Sequence, residues 1–321
     1  MQPLILHLLY LVLINIIIVS LGYVFINRKM VLPAWLLLIL SILIVHLLFI
    51  KESPIIRMLA LIATTFTAMK VVAVAKSYQL NKNRLSFKQW FAFALGWAGM
   101  REQPFETLGG KPLPNAGVMV WFGISRVIAG GLLIALAHII VSLNLNHTFI
   151  YICVSSILLV GLSLILHFGL LSISAGMWRF SGANTYYLFK QPAKATSLTE
   201  FWSKRWNLAF TEMTSIAIFR PLRNRIGGGA ALMLAFAFSG LLHEIALSVP
   251  VNSGYGLPML YFIIQGILVL LEKVMTRNKI MFLQHKIIGR VWIFFWLIAP
   301  APLLFHTQFI KEIVWPLAGL K

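Results

Sequence analysis

His243 and Glu244 stand side by side in a run from Gly227 to Pro250 where no other side chain can carry a charge. An imidazole takes up and returns a proton near neutral pH, and a carboxylate holds a proton or orients a neighbour. The pair therefore suits a general base with its support, a proton relay, or a buried packing contact. Ionisable groups are costly in so apolar a run and mark ion paths, relays or catalytic centres. On a helix the neighbours of His243 at i−8, i−4, i−3 and i+3 are Ala235, Ser239, Gly240 and Ala246. All are small, which predicts free space beside the imidazole or close helix packing. Glu244 falls ~100° further round the helix, so it is expected to bond a polar group on a neighbouring helix, with His138 one candidate.

A second constellation precedes this run. Ser197 followed by Glu200 is a capping-box signal, which predicts a helix from about Leu198 through FWSKRWNLAF. On that helix Trp202 and Trp206 share an apolar face, Lys204 turns outward, and Asn207 lies one turn beyond Ser203. Taken alone, Asn207 reads as a surface residue or a cap, and Arg205 as a partner for lipid phosphate or a carboxylate. Arg220, Arg223 and Arg225, with Pro221 and three glycines, form a basic segment that reads as a mobile hinge before the run carrying His243. Such a mouth attracts a polyanion, either lipid headgroups or the phosphates of a nucleotide-bearing substrate.

Several chemistries are excluded by what the chain lacks. All eight acidic residues are Glu, so aspartate-rich magnesium sites are absent in their usual form. No two of the eight His residues are three or four positions apart, which removes the clustered-histidine metal sites of desaturases and zinc proteases. Cys153 is the one cysteine, so neither an internal disulfide nor a cysteine metal site can form. There is no Gly-x-Ser-x-Gly elbow and no phosphate-binding loop of the Gly-x-x-x-x-Gly-Lys type. A mechanism without metal or cofactor is expected.

The elements that must hold these residues belong to a membrane protein. Hydrophobic residues make up 60% of the 321, charged residues 11%, and mean hydropathy is +0.89, more apolar surface than one soluble core can hide. Runs near the ~20 residues a helix needs to cross the hydrocarbon extend over 4–26, 31–50, 55–75, 117–141, 148–171, 229–250, 256–271 and 288–305. The expected architecture is an all-α, multi-pass domain spanning 1–321, with about eight transmembrane helices plus interfacial or re-entrant helices. The first run is read as a retained helix rather than a signal peptide.

Net charge is +19, but the basic residues cluster between apolar runs rather than along one face, so they report topology rather than nucleic-acid binding. With eight spans, 21 of the 27 Lys and Arg fall in loops on one side, read as cytoplasmic, and loops 142–147 and 251–255 carry none. The aromatic segment Phe87, Trp90, Phe91, Phe93 and Trp97, flanked by Arg84 and Lys88, reads as a helix at headgroup level.

FWSKRWN, followed about three dozen positions later by SGLLHE, resembles the membrane-bound O-acyltransferase superfamily. In particular it resembles the wax synthase branch, whose members carry a tryptophan-rich stretch ending in Trp-Asn and then a Ser-Gly-x-x-His-Glu segment. The resemblance covers mainly residues 197–250 and extends to WAGMREQPF, where Ala98 replaces the proline of the branch's Trp-Pro-Gly-Met. It implies acyl transfer from acyl-CoA to the hydroxyl of a lipophilic, long-chain alcohol, with acyl-CoA as co-substrate.

By position it implies His243 and Asn207 as the catalytic pair, Glu244 and Ser239 in support, and Trp202, Arg205 and Trp206 on the cytosolic side of the site. Arg220, Arg223 and Arg225 then form the entrance of an intramembrane tunnel. His243 lies ~21 Å down its helix at 1.5 Å per residue, deep enough that the thioester must thread inward. Another hydroxyl acceptor of sterol-like, terpenoid or glycan type, and a proton-coupled transporter, remain alternatives. The expected location is the bacterial plasma membrane or the endoplasmic reticulum, according to source.

Overall fold

The computed structural model describes residues 2–79, 84–143, 146–280 and 285–320, and all regular structure among them is helical. In chain order the principal helices begin with α1 (Gln2–Asn27), α2 (Val31–Phe49), α3 (Pro54–Ser77), α4 (Phe87–Gly96), α5 (Ala116–Ser142), α6 (His147–Ser163) and α7 (Leu171–Phe180). They continue with the short α8 (Leu198–Glu200), α9 (Leu208–Thr214) and α10 (Arg220–Ile226), then α11 (Gly228–His243), α12 (Leu257–Arg277) and α13 (Lys286–Ile298).

Eight stretches are long and apolar enough to cross a membrane: Leu4–Asn27, Val31–Phe49, Pro54–Ser77, Ala116–Ser142, Ile150–Phe180, Gly228–Ser248, Leu257–Arg277 and Lys286–Leu304. They match the eight expected from hydropathy. The fifth runs past the expected end at Leu171, because the π-helical turn Leu164–Leu170 leads directly into α7. Of the expected loops, Lys82, Asn144 and Leu145 lie outside the described residues.

The chain forms two compact units, residues 1–102 with 190–306, and residues 103–189 with 307–321. Every candidate site residue lies in the first. Its most enclosed span is α3, with 78% of the apolar window buried against 11% for α1. Among the described residues α3 carries the one buried lysine. The Nζ of Lys70, 3% exposed, donates to the carbonyls of Phe93 (3.0 Å), Ala94 (2.7 Å) and Trp97. These carbonyls lie at the C-terminal end of α4, where a cation suits the dipole.

The aromatic segment is therefore not simply interfacial. Phe87 and Phe91 face outward, but Trp90 and Phe93 are fully buried, and the Trp90 indole donates to the Val19 carbonyl at 2.8 Å. A capping box at Ser86 and Gln89 starts α4.

In the second unit, α5 packs against α6 and α7 through glycines. A Cβ on Gly130 would lie 2.5 Å from the Gly161 carbonyl, and one on Gly123 would lie 2.7 Å from that of Gly169. Such close approach is the usual way helices associate in lipid, where dispersion contacts replace the hydrophobic effect.

Candidate active site

His243 closes α11. Its Nδ1 lies 2.7 Å from the carbonyl oxygen of Ser239, one turn earlier on the same helix. A carbonyl only accepts, so Nδ1 carries the hydrogen and Nε2 keeps its lone pair. Ser239 thus supports the ring with its backbone rather than its hydroxyl. Two aromatic rings flank the imidazole, Phe262 at 4.3 Å and Phe210 at 5.2 Å between centroids.

Of the two readings of the small residues around His243, close helix packing is the one found at Gly240. A Cβ on Gly240 would meet Met259 Sδ at 2.8 Å and its Cα at 3.0 Å, so the small face seats α12. Ala235 and Ser239 are buried as well. Directly after His243 the helix widens into a π turn, Glu244–Ser248, a feature frequent at functional sites.

Glu244 is buried, and its Oε1 accepts from the backbone N–H groups of Gly256 and Met259, both at 3.0 Å. These belong to the open N-terminus of α12, where a carboxylate is favoured by the orphan donors and the dipole. The polar partner expected on a neighbouring helix is therefore a backbone, not His138, which bonds the Ala318 carbonyl at 2.8 Å. Just past the last span, burial pushes the imidazole of His306 below its ordinary value, against the upward pull of the Glu244 charge and of a hydrogen bond with the Leu247 backbone.

The Trp-Asn segment begins as the capping signal predicts, with Ser197 Oγ accepting from Glu200 N–H at 3.0 Å. Glu200 reaches back to Thr196 rather than to Ser197, accepting from its N–H (2.9 Å) and its hydroxyl (3.2 Å). Burial would raise the Glu200 carboxyl. The hydrogen bonds from Thr196 and the Arg205 guanidinium outweigh that and hold it below its ordinary value.

The continuous helix expected through Asn207 does not form. Residues 201–205 make a π turn, Trp206 is extended, and Asn207 adopts a left-handed conformation with φ of 41° before α9 begins. The cause is competition for a carbonyl. Lys190 N–H takes the Arg205 oxygen at 2.8 Å, and the Arg205 side chain is drawn to Glu200 at 2.6 Å and to the carbonyls of Lys190 and Gln191. Arg205 thus clamps this turn.

The break also separates the two tryptophans expected to share a face. Trp206 stacks on Phe201 at 5.4 Å, whereas Trp202 packs inward on Phe236 and Phe262 and donates its indole N–H to Gln265 at 3.1 Å.

Asn207 heads α9, its carbonyl accepting from Phe210 (3.1 Å) and Thr211 (3.3 Å), while its amide makes no capping bond. Phe210, three residues on, is the ring against His243. Among the described residues no hydrogen bond joins the Asn207 and His243 side chains.

At the far end of α9, buried Glu212 accepts from Met100 N–H (3.3 Å) and pairs with Arg101 (3.4 Å). The WAGMREQPF stretch is thereby tied to the Trp-Asn segment. Phe262, Gln265, Glu212 and Glu272 carried no signal in the sequence, because each acquires its role from a partner distant along the chain.

The basic segment is a helix rather than a hinge. Arg220, Arg223 and Arg225 are exposed on α10, with Pro221 in its first turn and Gly227 (φ 83°) breaking it before α11. Among the described residues none of the three forms an ion pair. A groove of about 600 Å³ along α13, lined by Arg290, Val291, Phe294, Phe295 and Ile298 among others, lies apart from all of these residues.

Residues 186–264 match the membrane bound O-acyl transferase family. Over 72 residues the chain is 33% identical to the long-chain-alcohol O-fatty-acyltransferase of Simmondsia chinensis, covering 20% of each chain. Over 152 residues it is 26% identical to the probable long-chain-alcohol O-fatty-acyltransferase 2 of Arabidopsis thaliana, covering 44% of each. Over 72 residues it is 38% identical to the probable long-chain-alcohol O-fatty-acyltransferase 1 of that plant, covering 20% of this chain and 21% of the relative. Each match thus spans less than half of the relative's length. The stretch that matches the membrane bound O-acyl transferase family, residues 186–264, holds both the Trp-Asn segment and His243, and the chain is similar to long-chain-alcohol O-fatty-acyltransferases.

Proposed function

We propose that the protein transfers a fatty acyl group from acyl-CoA to the hydroxyl of a lipophilic, long-chain alcohol, forming a wax-type ester. The observation that carries this reading is the 2.7 Å contact between His243 Nδ1 and the Ser239 carbonyl. With Nδ1 fixed as donor, Nε2 accepts the alcohol proton as the oxygen attacks the thioester carbon. The tetrahedral intermediate collapses, the C–S bond breaks, and Nε2 returns the proton to the departing thiolate, giving ester and free coenzyme A. General base catalysis of this kind contributes about 10²- to 10⁴-fold in rate.

The Asn207 amide, uncommitted to a cap, donates to the developing oxyanion. Phe210 and Phe262 shield the ring from water. The nucleotide end of acyl-CoA docks at exposed Arg220, Arg223 and Arg225 on the cytosolic side, and the alcohol arrives through the bilayer, with a tunnel joining the two routes at His243. The transporter alternative needs Glu244 as a relay, but its Oε1 is engaged in capping α12.

The test is labelled acyl-CoA supplied with a panel of alcohols to membranes that lack other neutral-lipid synthesis, with and without this chain. Label in an ester that appears only with the chain, and is largest for long primary alcohols, is expected. Label that stays in acyl-CoA or free acid under all conditions removes the proposal. In the same assay, alanine at Arg220, Arg223 and Arg225 together is expected to raise the apparent KM for acyl-CoA by about tenfold or more, since three rim charges lose their pull on a polyanion. The KM for alcohol should stay unchanged, and an unaltered acyl-CoA KM would eliminate the docking role.

A further inference from the structure

One face of α12 runs from the imidazole to the start of the Trp-Asn segment. Phe262, Gln265, Val269 and Glu272 recur at helical spacing along it. Phe262 lies on the His243 ring, and Gln265 receives the Trp202 indole N–H while donating to the Trp296 carbonyl at 2.7 Å.

Glu272, 2% exposed, ends the row. Its Oε1 accepts from Leu198 N–H (2.7 Å) and the Trp292 indole (3.1 Å), and its Oε2 accepts from the N–H (2.8 Å) and hydroxyl (2.9 Å) of Thr199. Four donors thus converge on one carboxylate.

The segment it holds has little regular helix of its own. α8 is three residues long and gives way to a π turn and then to the left-handed Asn207, so no regular helix supplies the cooperativity that would fix its direction. Ser197 Oγ meets the N–H of Glu200, but the orphan N–H groups of Leu198 and Thr199 are satisfied from outside, by Glu272 of α12. We infer that Glu272 is a positioning residue for acyl transfer, setting where Trp202 and Asn207 stand relative to His243. This rests on the proposed function. The same rigid helix contacts the base at one end and grips the segment bearing the amide at the other, so a shift at Glu272 is passed to the distance between them.

The test uses the full-length chain in detergent, comparing wild type with Glu272→Gln and Glu272→Asp. Gln keeps the volume but replaces one acceptor oxygen with an NH₂ that faces N–H donors. Asp keeps both oxygens on a shorter stem. For Glu272→Gln, kcat per folded protein is expected to fall by about 10- to 100-fold, the scale of a misplacement of about 1 Å. KM for both substrates should change less than about twofold, since neither substrate touches Glu272, and the variant should elute as wild type in size exclusion. Glu272→Asp should recover part of the kcat.

Amide hydrogen exchange over residues 196–200 should rise in Glu272→Gln, a readout independent of turnover. An unchanged kcat with wild-type ester formation intact overturns the inference, as does a kcat loss with unchanged exchange. A wild-type chain that forms no ester instead overturns the reading beneath it.

Discussion

His243→Gln is expected to abolish ester formation, by about 10²- to 10⁴-fold relative to wild type, while leaving the protein folded. Glutamine is the sharper choice over alanine. Its NH₂ can still donate to the Ser239 carbonyl, the one hydrogen bond of the imidazole among the described residues. It also fills part of the space between Phe210 and Phe262. What it lacks is an acceptor that can take a proton and hand it on.

His243→Ala removes the ring contacts too, so its activity loss is confounded with a cavity costing about 1–3 kcal/mol. Both variants should be assayed for labelled ester per unit of protein recovered as a monodisperse species in detergent. Ester formation by His243→Gln within tenfold of wild type would remove this histidine as the base. Loss of monodisperse protein in parallel with activity would instead assign it a structural role.

The spans were legible because one strong force writes them, the exclusion of charge from lipid, which acts on any window of about 20 residues. Every expected span has its counterpart in the eight apolar helices. His243 was legible for the same reason, as an exception to that rule. The local geometry was not. A capping signal correctly starts a helix at Ser197, yet nothing within reach of it tells that Lys190 will take the Arg205 carbonyl and that the helix will stop at Arg205.

The small residues around His243 were equally ambiguous, since a cavity and a close-packed partner call for the same side chains. Only the position of Met259 decides between them. Lys70, Glu212 and Glu272 are single charges in apolar or mixed surroundings, and each gains meaning from backbone groups of a distant element. Sequence spacing carries no trace of such pairings.

Asn207 is where these two levels meet, and its variants separate them. At φ of 41° a residue with a Cβ pays roughly 1–2 kcal/mol in the left-handed region, which Asn bears better than most and Gly does not pay. Asn207→Ala therefore disturbs both the turn and the chemistry. Asn207→Gly preserves the turn and removes only the amide.

If that amide donates to the oxyanion, Asn207→Gly should elute and melt like wild type, yet lose about 10²- to 10³-fold in kcat, the cost of deleting one oxyanion donor, with KM for acyl-CoA nearly unchanged. Asn207→Asp is expected to be at least as slow as Asn207→Gly, because a carboxylate at that point repels the charge it should stabilise. If Asn207→Gly keeps wild-type kcat, the residue serves the bend alone. Catalysis would then rest on His243 with donors still to be identified around Phe210, Phe262 and Gln265.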